Sequence, residues 1–268
     1  GCSVGVAGTV LGFIFAFAVT RLSLPKWLCA AVSAVTLLPL ISPPFTSSIA
    51  LTLSLGPNGI LLDFFGLGNF NFYGFWGTFI SETLTFFPVA FMTLSTILAR
   101  IDPNLEDAAY SLGASSFKVF RTVTLPLAAP GIANAFLLVF SCSLADFATP
   151  QVLGGHSFPV LPTQAYLVIT GMYDFKGGAA LSFMLLIPAI IVYSLQRWWV
   201  GKKSYVTVSG KAGGRSSVKG PGPLLSSVIV ATVAVVIAFV LYLYAIILTG
   251  SLVKVWGVNN EITLENYS

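Results

Sequence analysis

Six long apolar stretches constrain this sequence more than any other feature. The first runs from Gly1 to Thr20 without a charged residue and is closed by Arg21 and Lys26. A transmembrane helix needs about 20 predominantly apolar residues to cross a bilayer. Only 8% of the residues are charged, whereas ordinary soluble domains have about a quarter. The sequence therefore predicts an all-α fold, a polytopic membrane helical bundle with about six transmembrane spans.

The second apolar stretch, 27–55, is interrupted by Pro39 and by the pair Pro43 and Pro44. We predict a discontinuous span, because proline breaks or kinks a helix. Two interpretations stay open: the break at Pro43 and Pro44 lines a translocation path, or it is a simple kink. A loop rich in glycine, asparagine and aromatic residues, 56–74, is expected in the membrane interface. The remaining spans are 75–99, 128–145, 179–196 and 224–249.

A segment rich in glycine, serine and lysine, 201–223, separates the last two spans. Its composition cannot form a buried core, so we expect a flexible cytoplasmic linker. We divide the chain into a five-span core, 1–200, this linker, and 224–268 as the first span and outer loop of a second, truncated unit. The chain begins with Gly1 inside an apolar run, and we expect it to be a segment of a longer protein.

The polar segment 100–126 connects the third and fourth spans. Asp102 can cap a helix that has Pro103 in its first turn, where the missing N–H is not needed. Gly113 can supply the chain reversal at the end of that helix. We predict a short helix, a glycine break and a second short helix that is closed by Pro126.

The same segment carries a motif of fixed spacing. An acidic residue and two alanines are followed by a glycine, an aliphatic residue and Leu-Pro, at Asp107, Ala108, Ala109, Gly113, Val123, Leu125 and Pro126. The motif resembles the cytoplasmic signature loop of permease subunits from binding-protein-dependent ABC importers. Asp107 stands where that family usually has glutamate.

The resemblance implies a coupling role for the loop. In the family a separate ATPase docks on it, and ATP-driven closure of the ATPase dimer moves the loop as a rigid lever. Ala108 and Ala109 would then permit a tight fit, and the carboxylates of Glu106 and Asp107 would meet donors on the partner. Leu125 and Pro126 would stiffen the connection to the fourth span.

The resemblance also implies partners and a location. They are a cytoplasmic ABC ATPase dimer, an extracytoplasmic solute-binding protein, a second permease half (fused or separate) and membrane lipid, in a bacterial-type inner plasma membrane. This chain would bind no cofactor, since ATP and Mg would belong to the ATPase, and it would be a transport subunit rather than an enzyme.

The positive-inside rule gives the orientation. With 100–126 in the cytoplasm, six alternating spans leave only Lys176 and Lys254 outside. The other cations lie inside, at Arg21, Lys26, Arg100, Lys118, Arg121, Arg197 and five linker positions. The net charge of +4 does not form a basic stripe, so no nucleic-acid partner is predicted.

The region after the fourth span narrows the resemblance. Ala145-Asp146-Phe147, Pro150, 152–155 and 163–166 resemble the large permeases of ferric-iron importers, in which two permease halves are fused. The segment 224–268 would then open the second half. The resemblance implies ferric iron as the cargo, while phosphonate, polyamine and thiamine permeases share much of the pattern and stay open as alternatives.

Two acidic residues are candidates for the translocation path, Glu82 within the third span and Asp146 after the fourth. A carboxylate in a membrane segment usually faces a bundle interior or a water-filled path. For Glu82 two other interpretations are open: it snorkels towards the headgroups, or it hydrogen-bonds a neighbouring helix. A secondary transporter or channel is the alternative class, but it would normally need more intramembrane charges.

Catalytic and metal sites are not predicted. Cys2, Cys29 and Cys142 lie in apolar spans without paired spacing, which is typical of small apolar core residues. His156 has no second histidine or cysteine nearby in the sequence, and a lone histidine is a poor metal site. The sequence contains no phosphate-binding glycine-rich motif and no His-Glu-x-x-His motif.

Overall fold

The computed structural model describes residues 1–43, 45–56, 59–66, 71–155, 158–202, 222–256 and 259–267. Five helical segments of the described chain are long and apolar enough to cross a membrane, or six if a bent helix pair counts as one span. The predicted all-α membrane bundle is confirmed. The five segments are Cys2–Arg21, Phe75–Arg100, Ser116–Ala145, Phe175–Trp198 and Leu224–Ser251.

The elements follow one another in a simple order. The helices are α1 Cys2–Arg21, α2 Lys26–Ile41, α3 Thr46–Leu55, α4 Ile60–Phe65, α5 Phe75–Arg100, α6 Pro103–Ser111, α7 Ser116–Val119, α8 Leu125–Ala145, α9 Ala148–Leu153, α10 Leu161–Gly171, α11 Phe175–Lys202 and α12 Pro223–Ser251. A π-helical turn, Phe120–Thr124, joins α7 to α8, and a short antiparallel hairpin follows α12, with β1 Val253–Val255 and β2 Asn259–Ile262.

The second predicted span is broken, as expected. The chain bends by 96° between α2 and the helix that begins at Thr46. Pro39, however, lies inside α2 and does not interrupt it. Its ring can sit within a helix when neighbouring groups satisfy the freed carbonyl. The break falls at 42–45, where Pro43 is exposed and Pro44 lies outside the described residues.

Helices α1, α5 and α8 form the centre of the bundle, and α1 and α5 approach each other closely. A Cβ atom built on Gly12 would stand 2.5 Å from the Cβ of Ala90 and 2.7 Å from the backbone nitrogen of Phe91. Small residues let membrane helices pack backbone to backbone, where apolar burial gives no advantage over lipid. Nearby, the rings of Phe15 and Phe87 contact each other edge to face at 5.2 Å.

Gly12→Ala should therefore destabilise the bundle. The added methyl group forces α1 and α5 apart, and overpacking of this kind costs about 1–3 kcal/mol. We expect the apparent Tm of the purified permease in detergent to fall by several degrees. Val10→Ala is the matched control, because Val10 lies on the exposed side of α1 and should leave the Tm nearly unchanged. Equal Tm values for both variants would contradict the close-packing explanation.

Helix α12 packs against the broken second span. The hydroxyl of Tyr244 lies 2.6 Å from that of Ser42, and the hydroxyl of Tyr242 lies 2.9 Å from that of Ser54. Trp256, just after the helix, donates its indole N–H to the backbone oxygen of Leu53 at 3.0 Å. Polar contacts on both sides of the 42–45 break thus fix the bent pair to α12.

Several elements were not predicted from the sequence. The expected interface loop 56–74 contains the short helix α4, and two further short helices, α9 and α10, lie between the fourth and fifth spans. Helix α11 extends to Lys202, two residues into the predicted linker. The rest of that linker up to residue 221 lies outside the described residues.

Candidate functional site

The predicted loop between the third and fourth spans begins with a capped helix. The side chain of Asp102 accepts a hydrogen bond from the backbone N–H of Asn104 at 3.0 Å, and Pro103 occupies the first helical position. Both features satisfy or remove backbone donors that have no partner in the first turn. The predicted cap and start of α6 are confirmed.

Helix α6 ends in a Schellman motif, which confirms the predicted glycine break. The N–H of Ala114 donates to the oxygen of Ala109 at 3.1 Å, and the N–H of Gly113 donates to the oxygen of Tyr110 at 2.9 Å. Gly113 has a φ of +80°, a conformation that glycine adopts without the steric cost other residues incur. The chain then reverses into α7, which Ser115 caps through the N–H of Lys118.

The second short helix does not end at Pro126, contrary to the prediction. Helix α7, the π-helical turn and α8 form one helical segment, Ser116–Ala145. The fourth span thus begins about three turns before its predicted start at residue 128. Val123, Leu125 and Pro126 of the motif lie within this helical segment, so the loop is joined to the span without a non-helical break.

The π-helical turn has a local cause. Pro126 has no N–H to donate, and its ring would clash with the carbonyl of residue 122, four positions earlier, in a regular α-helix. Inserting one extra residue per turn widens the helix there, with the N–H of Leu125 donating to the oxygen of Phe120. Such π turns often occur at functional positions in helices.

Glu106 lies on the inner side of α6, which differs from the expectation that it meets a partner. Its side chain is 3% exposed, and its Oε1 lies 3.3 Å from Nη2 of Arg21. The hydroxyl of Thr124 donates to the same oxygen at 2.8 Å. Arg21 also donates to the backbone oxygen of Leu98 at 3.2 Å. Glu106 therefore attaches the loop to the bundle.

The outer side of the loop is apolar and exposed. Leu112 is 89% exposed and Phe117 is 65% exposed, and Leu105 and Ala108 are exposed on the same helix as the motif. Residues three or four positions apart share one face of a helix, so Leu105, Ala108 and Leu112 form a stripe along α6. Asp107 and Ala109 are half-buried beside it. We call Leu105, Ala108, Leu112 and Phe117 the docking stripe.

At the other end of α5 and α8, a cavity of about 210 Å³ contains both candidate path carboxylates. Its lining includes Thr78, Phe79, Glu82, Ser143, Asp146 and Leu161. Ser143 donates a hydrogen bond to Oε2 of Glu82, whose side chain is buried. The hydrogen bond to a neighbouring helix, one of the open interpretations for Glu82, is observed, and its burial does not fit snorkelling. The path role of Glu82 stays a prediction.

Asp146 lies just before the N-terminus of α9. Its Oδ1 accepts hydrogen bonds from the N–H groups of Ala148 at 3.0 Å and Thr149 at 3.3 Å. Its Oδ2 is buried and has no hydrogen-bond partner among the described residues, and the same holds for the hydroxyl of Thr78. Two residues of the cavity lining thus hold buried oxygen atoms without a partner among the described residues.

Within the described part of the chain, no three histidine, cysteine, aspartate or glutamate side chains are grouped to hold a metal ion. His156 lies outside the described residues. The two carboxylates of the cavity are too few to form a complete coordination shell for a metal ion on their own.

The chain matches the family described as "Binding-protein-dependent transport system inner membrane component" over residues 8–204. It is 38% identical over 271 residues to the ferric transport system permease protein FbpB of Actinobacillus pleuropneumoniae, covering 99% of this chain and 39% of that protein. It is 30% identical over 195 residues to the molybdenum transport system permease protein ModB of Escherichia coli, covering 70% of this chain and 83% of that protein.

A solved structure has the same fold. It is a crystal structure of a bacterial ABC transporter involved in the import of the acidic polysaccharide alginate, matched with a TM-score of 0.56 at 16% identity over 75% of this chain and 76% of that chain. At this identity the likeness concerns the fold alone. The chain spans 39% of the length of the ferric permease of Actinobacillus pleuropneumoniae. It spans 42% of the putative ferric transport system permease protein FbpB 1 of Haemophilus influenzae, to which it is also 38% identical.

Proposed function

Because the chain belongs to the family of binding-protein-dependent transport system inner membrane components, we propose that it forms one half of the translocation path of an ATP-driven importer. A separate cytoplasmic ABC ATPase dimer would bind the segment 100–126, and an extracytoplasmic binding protein would deliver the solute. ATP and Mg would be bound by the ATPase. The segment 224–268 would be the beginning of a second permease half.

The observation that carries this proposal is the two-sided construction of the coupling loop. Its inner side is fixed to the bundle by Glu106, and its outer side exposes the docking stripe. Exposed apolar patches on an otherwise polar surface mark sites of protein interaction. The continuous helix from Ser116 to Ala145 would carry a displacement of this loop directly into the bundle.

We propose ferric iron as the cargo, on the grounds that the relatives matching nearly the whole chain are named as ferric transport permeases. The test is solute binding by the binding protein encoded beside this permease, measured by calorimetry against ferric iron, a phosphonate, a polyamine and thiamine. Selective ferric binding supports the assignment. Selective binding of another solute replaces the cargo, and the absence of an ATP requirement for uptake would overturn the importer.

We further propose that the cavity around Glu82 and Asp146 is part of the translocation path. Its two carboxylates come from different parts of the chain, and one oxygen of Asp146 is buried without a partner among the described residues. A buried unpaired oxygen is costly unless a bound or passing ligand satisfies it. Pro43 does not line this cavity, and Pro44 lies outside the described residues, so their path role remains the prediction made from the sequence.

Glu82→Gln and Asp146→Asn test the cavity. Each keeps the shape of the side chain and removes its charge, so the fold and the ATPase binding should be retained. We expect ATP-dependent uptake into proteoliposomes to fall at least about tenfold, because a hydrogen bond to a charged group contributes about 1.5–3 kcal/mol. Ser143→Ala, which removes only the donor to Glu82, should have a smaller effect. Unchanged uptake in both charge variants would make these residues structural polar contacts.

A further inference from the structure

Arg21 connects the coupling loop to α1, a helix with which the loop has no short covalent link. It is the last residue of α1, and one nitrogen, Nη2, contacts both Glu106 on α6 and the backbone oxygen of Leu98 near the end of α5. Thr124, in the π-helical turn, donates to the same carboxylate oxygen of Glu106. Four elements thus meet at one ion pair.

The ion pair is buried. The side chains of Arg21 and Glu106 are 6% and 3% exposed. Opposite charges at this distance interact far more strongly away from water than at a surface. A buried ion pair also favours a single arrangement of its two side chains, because separating them would leave each charge buried without a partner. The contact therefore fixes the position of α6 relative to α1 more strictly than apolar packing would.

We propose that Arg21 is a positioning residue for transport, which transmits movement of the coupling loop to α1. This inference rests on the proposed importer function. The loop is covalently joined to α5, which ends at Arg100 just before α6, and to α8 through the helix Ser116–Ala145. The ion pair adds a third connection, to α1. With all three connections, a displacement of α6 moves α1, α5 and α8 as one body. Without Arg21, a docked ATPase still moves α5 and α8, and only the packing of α1 on α5 connects the loop to α1.

The test uses the full-length permease, assembled with its ATPase in proteoliposomes and supplied with loaded binding protein. Two quantities are measured on equal amounts of assembled complex: ATP hydrolysed and solute taken up. In Arg21→Met we expect solute uptake per ATP to fall at least about tenfold, within the range of typical allosteric coupling. Binding of the ATPase should be retained, since the docking stripe is intact.

Three variants separate this role from simple structural support. Arg21→Lys keeps a donor cation and should restore most of the coupling. The double variant Arg21→Met/Glu106→Leu removes both charges, so it leaves no buried charge unpaired and should be well folded, but it should stay uncoupled. Lys26→Met is the control, because it removes an exposed cation from the same end of the bundle and should couple normally.

Two results would overturn the inference. One is a normal uptake-to-ATP ratio in Arg21→Met, with only the amount of complex reduced, since that is what a merely structural residue produces. The other is normal coupling in the double variant. Failure of the importer proposal looks different, because the unmodified permease itself would then show no ATP-dependent uptake.

Discussion

Gly113→Leu should abolish most solute uptake while leaving the protein fully inserted in the membrane. Gly113 has a φ of +80° in the Schellman motif that ends α6, and a residue with a Cβ in the left-handed region costs about 1–2 kcal/mol. The turn would relieve this strain by changing its backbone conformation, and this change would move α6 relative to α7. Both helices carry parts of the docking stripe, so the stripe would no longer present one continuous surface.

The expected effect is a loss of ATPase affinity and of uptake of at least about tenfold, since 1.4 kcal/mol corresponds to a factor of ten. Affinity is measured by titrating ATPase onto the reconstituted permease, and uptake by ATP-dependent solute entry. Gly113→Asn is the matched control, because asparagine tolerates the left-handed conformation. A Cβ there meets no atom within 4 Å, so the control adds no clash. Equal activity of both variants would contradict the lever interpretation.

The spans of this fold could be predicted because they depend on length and composition. A run such as 1–20 has only one structure that satisfies its backbone in lipid, a helix. Their exact ends could not be predicted equally well. We predicted a helix end at Pro126, because helices usually end before a proline. The π-helical turn before Pro126 removes the expected clash, so the helix that begins at Ser116 continues through it.

The loop between the third and fourth spans could be located from the sequence, and its cap and its glycine turn were predicted correctly. The orientation of Glu106 could not be, because its partner Arg21 lies 85 residues earlier in the chain. Arg21 was interpreted only as a topology signal at the end of an apolar span. The only signal in the sequence was the position of Arg21, directly after the uncharged stretch 1–20.

The docking stripe was also missed, since its members looked like ordinary apolar residues of two short helices. Phe117 and Phe120 are three residues apart, so helical periodicity places them on one apolar face. In the structure, Phe120 contacts the rings of Phe13 and Phe17 at 6.1 and 5.8 Å, whereas Phe117 is exposed. Periodicity identifies an apolar face, but it cannot say whether that face packs within the chain or against another protein.

Leu112→Asp should weaken docking of the ATPase more than any other single change in the loop. Leu112 is the most exposed large apolar residue of the described chain, at 89%, and it follows α6 at the centre of the stripe. Burying a leucine contributes about 1.5–3 kcal/mol, and an aspartate in its place would lose this and add a desolvation cost. We expect affinity for the ATPase to fall about 100-fold or more, as for a hot-spot residue.

Leu112→Met keeps the apolar character and nearly the same volume, so it should bind the ATPase within about threefold of the unmodified permease. Neither variant touches the bundle, and the Tm of the permease alone should be the same for both. The two proposed roles, docking for Leu112 and coupling for Arg21, predict different losses. Leu112→Asp should lose ATPase binding, and uptake with it. Arg21→Met should keep ATPase binding and lose uptake per ATP. If Leu112→Asp binds the ATPase normally, the exposed stripe is not the docking surface, and the ATPase must contact this chain elsewhere.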